Sequence, residues 1–82
     1  MSTAAHDLLA RITANAEIFG GKPIIRGMRI SVELILSLLA GGATLEEILD
    51  DYPDLEREDV QACLEYARAV ITVRGGRLRI SG

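Results

Sequence analysis

The chain has almost none of the residues from which metal, redox and stacking sites are built. Its 82 residues include one cysteine, one histidine, no tryptophan, one phenylalanine and two tyrosines. Cys63 alone makes no internal disulfide, and a small domain without such staples belongs in a reducing compartment, so a cytoplasmic location is expected. One His and one Cys exclude a zinc site of the usual kind. So few aromatics exclude a platform for stacking single-stranded bases. No apolar run approaches the ~18 residues that span a bilayer. The start, Met1 to Asp7, carries no basic residue ahead of its apolar stretch, unlike a secretory signal. The expectation is a small soluble module that binds other molecules: no enzyme, no catalytic residues, no metal, no cofactor, no small-molecule substrate and no membrane.

What is present argues for a folded domain. Hydrophobic residues make up 49% and charged residues 26% of the chain, which excludes disorder over most of its length. A single domain this short buries only ~60% of its unfolded surface, so a partner subunit would help it, and a homodimer is expected. The net charge of −3 hides an asymmetry: residues 1–43 carry +1, residues 44–66 carry −8, and residues 67–82 carry +4. An acidic middle between basic flanks suggests two different partner surfaces, although a solvated helix face accounts equally well for the acidic block alone.

Residues 4–12 suit either a short helix or an extended segment, and periodicity does not decide. Asn15 to Gly21 reads as a loop. In Lys22-Pro23-Ile24-Ile25-Arg26-Gly27-Met28-Arg29-Ile30, two short apolar pieces flank a glycine free to take positive φ, which predicts a tight turn between extended segments. Ser31 is a good helix cap, with Glu33 in the first turn, Val32 to Ala40 following and Gly41-Gly42 as the stop. This helix is apolar nearly all round. Val32, Ile35, Leu36 and Leu39 lie on one side and Leu34 and Leu38 on another, so a twofold partner is expected to cover Leu34 and Leu38, the alternative being a central helix sandwiched within the single chain. Thr44-Leu45-Glu46-Glu47 is a capping box, and Leu45, Ile48, Leu49 and Tyr52 give the next helix its stripe until Pro53. Arg57 to about Ile71 reads as the longest helix, with the stripe Val60, Cys63, Leu64, Ala67, Val70 and Ile71 and with Arg68 near its basic end. The fold class is mainly α, a tri-helical helix-turn-helix core with short N-terminal extended segments, over residues 9–72. Residues 1–8 form an extension and 73–82 a basic tail.

Candidate chemistry is sparse. Gly20-Gly21-Lys22 departs from a phosphate loop, with Ala16 where a glycine belongs and Pro23 where a hydroxyl belongs. Cys63, on the apolar stripe, reads as a small core residue. His6 lies at the terminus. Glu46/Asp50 and Glu47/Asp51 are spaced to share a helix face but have no carbonyl loop beside them, so they read as solvated. In a helix-turn-helix the second helix enters the major groove by its first residues. Here these are Glu56, Arg57, Glu58, Asp59 and Gln61, of which only Arg57 and Gln61 suit base edges. Phosphate contacts then fall to Lys22, Arg26 and Arg29, or to the tail.

Three stretches carry a resemblance: Glu17-Ile18-Phe19-Gly20-Gly21-Lys22-Pro23-Ile24-Ile25-Arg26-Gly27-Met28-Arg29-Ile30-Ser31-Val32, then Gly42 to Leu55 with Tyr52-Pro53-Asp54-Leu55, then Glu58-Asp59-Val60 and Leu64-Glu65-Tyr66-Ala67. Together, over roughly residues 9–70, they resemble the domain of unknown function 433 family. The resemblance implies a homeodomain-like or winged-helix-like fold. For characterised relatives it implies an antitoxin beside a nuclease toxin of PIN type. Met28 stands where the family often has Thr. Glu56-Arg57 stand where it often has Thr-Pro, which removes a preferred cap and makes the last helix more acidic at its start. The expected function is therefore an antitoxin-like autorepressor of operator DNA that neutralises a cognate nuclease-type toxin. In that reading Arg74, Arg77 and Arg79 approach the toxin's carboxylates. The alternative is a protein-interaction domain that never touches DNA.

Overall fold

The computed structural model describes residues 4–73, with side chains from Asp7 onward; the tail arginines Arg74, Arg77 and Arg79 and the side chain of His6 lie outside the described residues. In chain order the elements are α1 (Ala4–Leu9), β1 (Ile12–Thr13), a single 3-10 turn at Phe19–Gly21, β2 (Ile24–Ile25), α2 (Val32–Ala40), α3 (Leu45–Asp51) and α4 (Arg57–Val73). The fold is mainly α, and α2, α3 and α4 are the three helices of its helix-turn-helix core.

Local chemistry places the core helices. The Ser31 hydroxyl accepts from the Leu34 N–H at 3.0 Å and starts α2. The capping box of α3 is complete: the Thr44 hydroxyl accepts from the Glu47 N–H at 3.1 Å, and the Glu47 carboxylate accepts from the Thr44 N–H at 2.8 Å. Tyr52, with ψ 78°, leaves the helical region ahead of Pro53, as a residue before proline should.

The N-terminal segments are tied to this core by a small sheet. β1 and β2 pair antiparallel, with Ile12 opposite Ile25 and Thr13 opposite Ile24, and Ile24 also bridges Ser31. The expected tight turn follows β2. The Ile25 carbonyl accepts from the Met28 N–H at 2.7 Å across Arg26 and Gly27, which have φ of 44° and 72°. Positive φ at both central residues is the pattern of a type I′ turn. Glycine takes that conformation freely, but Arg26 takes it against its preference.

The core is Ile25, Val32, Ile35, Ile48, Leu55, Val60 and Cys63. Cys63 is a buried core residue, as its place on the stripe suggested. The inward face of α4 is centred on Asp59, Val60, Cys63, Tyr66 and Val70, so Leu64 and Ile71, expected on the apolar stripe, point outward instead, 51% and 56% exposed. α4 also runs on to Val73, past its expected end near Ile71, which leaves Arg68 short of its last turn, bonded to Glu65 at 2.6 Å. Leu38 is half-buried and packs with Leu36 and Leu39 against the core, where α3 and α4 both lie against α2. α1 packs on α4.

Candidate nucleic-acid interface

The opening of α4 is built around one buried carboxylate. Asp59 is fully buried and accepts four hydrogen bonds. Arg26 donates Nε to Oδ1 at 2.9 Å and Nη2 to Oδ2 at 2.7 Å. Arg11 donates Nη1 to Oδ1 at 3.0 Å. The Glu56 backbone N–H donates to Oδ2 at 2.8 Å, so Asp59 reaches back over the first turn and caps it. Arg11 Nη1 also meets Glu56 Oε1 at 2.7 Å, and Arg26 Nη2 meets the Asp54 carbonyl at 3.1 Å. This clasp stands in for the missing Thr cap at Glu56.

Sequence and backbone explain the geometry. Asp59 lies four residues before Cys63 on the inward face of the helix. The left-handed conformation of Arg26 turns its side chain out of the β2 turn and onto the start of α4. Burial pushes the Asp59 carboxyl pKa up, but the hydrogen bonds from Arg26, the Glu56 amide and Arg11 more than reverse it and hold it below its ordinary value. The same bonds raise both arginines, Arg11 through Glu56 first and then Asp59, Arg26 through Asp59. Two positive and two negative side chains cancel within the cluster.

This changes what the helix start presents. Asp59 faces inward and Glu56 is paired, so two of the acids expected to repel phosphate are neutralised from within. Arg57 and Gln61 are exposed, four residues apart on one face of α4, with Glu58 beside them. Arg57 and Arg29 make no ion pair among the described residues, and Arg29 is exposed. Lys22 is exposed and lies 3.3 Å from Glu33. Arg26, expected on phosphate, is instead committed to Asp59, with 39% of its side chain exposed. Sequence reasoning missed Arg11 and the structural role of Asp59. The one available signal was the i, i+4 relation of Asp59 to Cys63, which places the acid on the apolar face.

On the other side of Asp54, α3 displays Glu46, Glu47, Asp50 and Asp51, all exposed and none in an ion pair among the described residues. No cluster of three or more His, Cys, Asp or Glu suited to a metal ion occurs among the described residues. An open apolar groove of about 530 Å³ runs between α2 and α4, walled by Leu36, Ala40, Tyr66, Ala67, Val70 and Ile71. No helix among the described residues is long and apolar enough to cross a membrane.

Comparison with known proteins gives a family and no activity. The family model described as "Protein of unknown function (DUF433)" matches residues 12–67, from β1 into α4. The chain is 32% identical over 71 residues to "Uncharacterized protein y4eO" of Sinorhizobium fredii (strain NBRC 101917 / NGR234), covering 87% of this chain and 31% of that relative. The chain thus spans about a third of the length of the relative it matches. No solved structure matches. The family match takes in β1, β2, α2, α3 and the opening of α4, including Arg26, Glu56 and Asp59 of the clasp, and on that coverage the chain belongs to the domain of unknown function 433 family.

Proposed function

We propose that this chain is the antitoxin-like member of a two-gene toxin–antitoxin pair, a helix-turn-helix autorepressor that binds its operator as a dimer and neutralises a PIN-type nuclease in the cytoplasm. The observation that supports DNA binding is the opening of α4. Arg57 and Gln61 stand exposed on one face of the second helix of the pair, while Glu56 and Asp59 are neutralised by Arg11 and Arg26. An N-terminal position on that helix is where base edges are read, by Arg on guanine and Gln on adenine. Lys22 and Arg29 supply phosphate contacts in this reading, and Arg26 acts indirectly by holding the helix start. Toxin neutralisation is assigned to Arg74, Arg77 and Arg79. An arginine brought to a carboxylate-lined magnesium site bonds the carboxylates and competes with the metal.

The test is binding to the DNA upstream of the chain's own gene, followed by anisotropy over a series of salt concentrations. Arg57→Ala should cost about 1–3 kcal/mol on the preferred sequence and relax preference there, and Arg29→Ala should lower the salt slope by about one. For the toxin, the chain truncated after Val73 and co-expressed with the neighbouring nuclease should lose protection while operator binding persists. A second reading, a protein-interaction domain without DNA contact, is favoured by the exposed acids of α3, which repel phosphate. Absence of sequence preference at every salt concentration would decide for it.

A further inference from the structure

We infer that Arg11 is a positioning residue of the nucleic-acid face: it cancels the charge of Glu56 and holds that carboxylate aside, which opens the start of α4 to phosphate. Arg11 serves the DNA-binding reading, on which this role rests, without touching DNA itself. Charge makes the role necessary. Residues 54–59 hold Asp54, Glu56, Glu58 and Asp59 against Arg57 alone, a net of −3. A helix start of that charge repels phosphate. Arg26 and Arg11, both brought in from outside this stretch, reduce the net charge there to −1.

The two arginines have different tasks. Arg26 takes both oxygens of Asp59, and the Glu56 amide adds a further bond, so Asp59 stays satisfied without Arg11. Glu56 has no such reserve, because Arg11 is its one ion-pair partner among the described residues. A single nitrogen of Arg11, Nη1, makes both contacts, at 2.7 Å to Glu56 and 3.0 Å to Asp59. The Arg11 side chain is also the deeper partner, 28% exposed against 57% for Glu56. That depth suits a residue that draws a carboxylate inward and does not suit one that reaches out to phosphate.

The backbone fixes Arg11 in this place. It lies between α1 and β1, 45 residues from Glu56 in sequence. Its carbonyl accepts from the Arg26 N–H at 2.8 Å, and the Thr13 hydroxyl accepts from the Gly27 N–H at 2.9 Å. These bonds lace the segment to the β2 turn, so one short stretch of backbone sets both guanidinium groups beside the opening of α4. Without the Arg11 charge, Glu56 is a free carboxylate immediately ahead of Arg57. For a unit charge about 8 Å from each of two phosphates in water, the change in affinity is roughly fivefold.

The experiment is fluorescence anisotropy of the full chain with the duplex upstream of its own gene, at about 50 mM salt, where such charges are weakly screened. Circular dichroism checks folding. Arg11→Met keeps the alkyl stem and removes the charge, and should bind about fivefold more weakly. Glu56→Gln keeps the backbone bond to Asp59 and leaves the Arg11 charge uncancelled, so it should bind about fivefold more tightly. The double variant should return to within about twofold of wild type, with the wild-type salt slope. A purely structural Arg11 would leave the double variant as weak as Arg11→Met and would overturn the inference. So would a double variant whose salt slope is lower by about one, which is the mark of a direct phosphate contact by Arg11. Unchanged affinity in Glu56→Gln would also overturn it, and that variant decides alone if Arg11→Met does not fold. A wild type that binds no duplex would refute the DNA-binding reading and this role together, whereas wild-type binding without rescue would refute this role alone.

Discussion

Replacing Arg26 with alanine removes three of the bonds that hold the start of α4: two to the Asp59 carboxylate and one to the Asp54 carbonyl. Breaking a buried ion pair by deleting one partner costs ~3–5 kcal/mol. Two features lower the figure here. Arg11 and the Glu56 amide still satisfy Asp59, and the Arg26 side chain is 39% exposed, so water screens part of its charge. The expected loss is about 2–3 kcal/mol. A domain of this size has ~4–12 kcal/mol in all, so the change is large. With a urea slope of about 1 kcal/mol per molar, the midpoint should fall by about 2–3 M. Arg26→Gly should fall less, by ~1 kcal/mol, because glycine is unstrained at positive φ and alanine is not. A double-mutant cycle with Asp59→Ala should give a coupling energy above ~1 kcal/mol. If Arg26→Ala shifts stability by less than ~0.5 kcal/mol, the usual range for a surface position, or if the coupling vanishes, the clasp is not what holds the helix start.

Three further outcomes are expected. Asp59 titrates lower in the folded than in the unfolded chain, so its contribution is complete above the unfolded value of ~3.9 and is lost as pH falls through the folded value. Urea midpoints between about pH 5 and 2 should therefore drop steeply in the wild type and less in Asp59→Asn; parallel curves would place the acid sensitivity elsewhere. Burial, with a smaller push from the Asp59 charge, raises the Cys63 thiol pKa to about 12, so a thiol reagent at neutral pH should react only as fast as the chain unfolds, and prompt labelling would contradict its position in the core. Thr44→Ala breaks the capping box of α3 and should cost about 1 kcal/mol in thermal or urea denaturation, with Thr44→Ser close to wild type.

What could be read from the sequence was what short-range chemistry controls. Ser31 and Thr44 bond to amides three residues on, and Pro53 acts on its neighbour, so the starts of α2 and α3 and the end of α3 follow from adjacent residues. Gly27 announced its turn for the same reason. The stripe of α4 was harder, since from the buried Val60 the pattern continues as well through Leu64, Ala67 and Ile71 as through Cys63, Tyr66 and Val70 beside Asp59. Only the presence of two arginines, supplied from beyond β1 and from the β2 turn, makes it favourable to bury the face that carries an acid. That choice depends on residues 33 and 48 positions away, which periodicity along one helix does not register. The same separation hid the candidate site: Arg26 looks like a free cation until the fold places Asp59 beneath it. The exposure of Arg57 and Gln61 was legible, because among the described residues no partner competes for them.

Those long separations also bear on the order of events in folding. The caps of α2 and α3 close within three residues, whereas the clasp joins Arg26 and Arg11 to a carboxylate that much of the chain must first collapse to reach. Non-local contacts carry the larger loop-closure cost and form late. A bond made after the rate-limiting barrier does not speed the climb, but it must be broken on the way back. Loss of ~2 kcal/mol at the clasp should accordingly leave the refolding arm of the chevron nearly unchanged and raise the unfolding rate by about thirtyfold. Arg11, Arg26 and Asp59 thereby set the lifetime of each folded molecule, and with it the time during which a protease finds the chain closed.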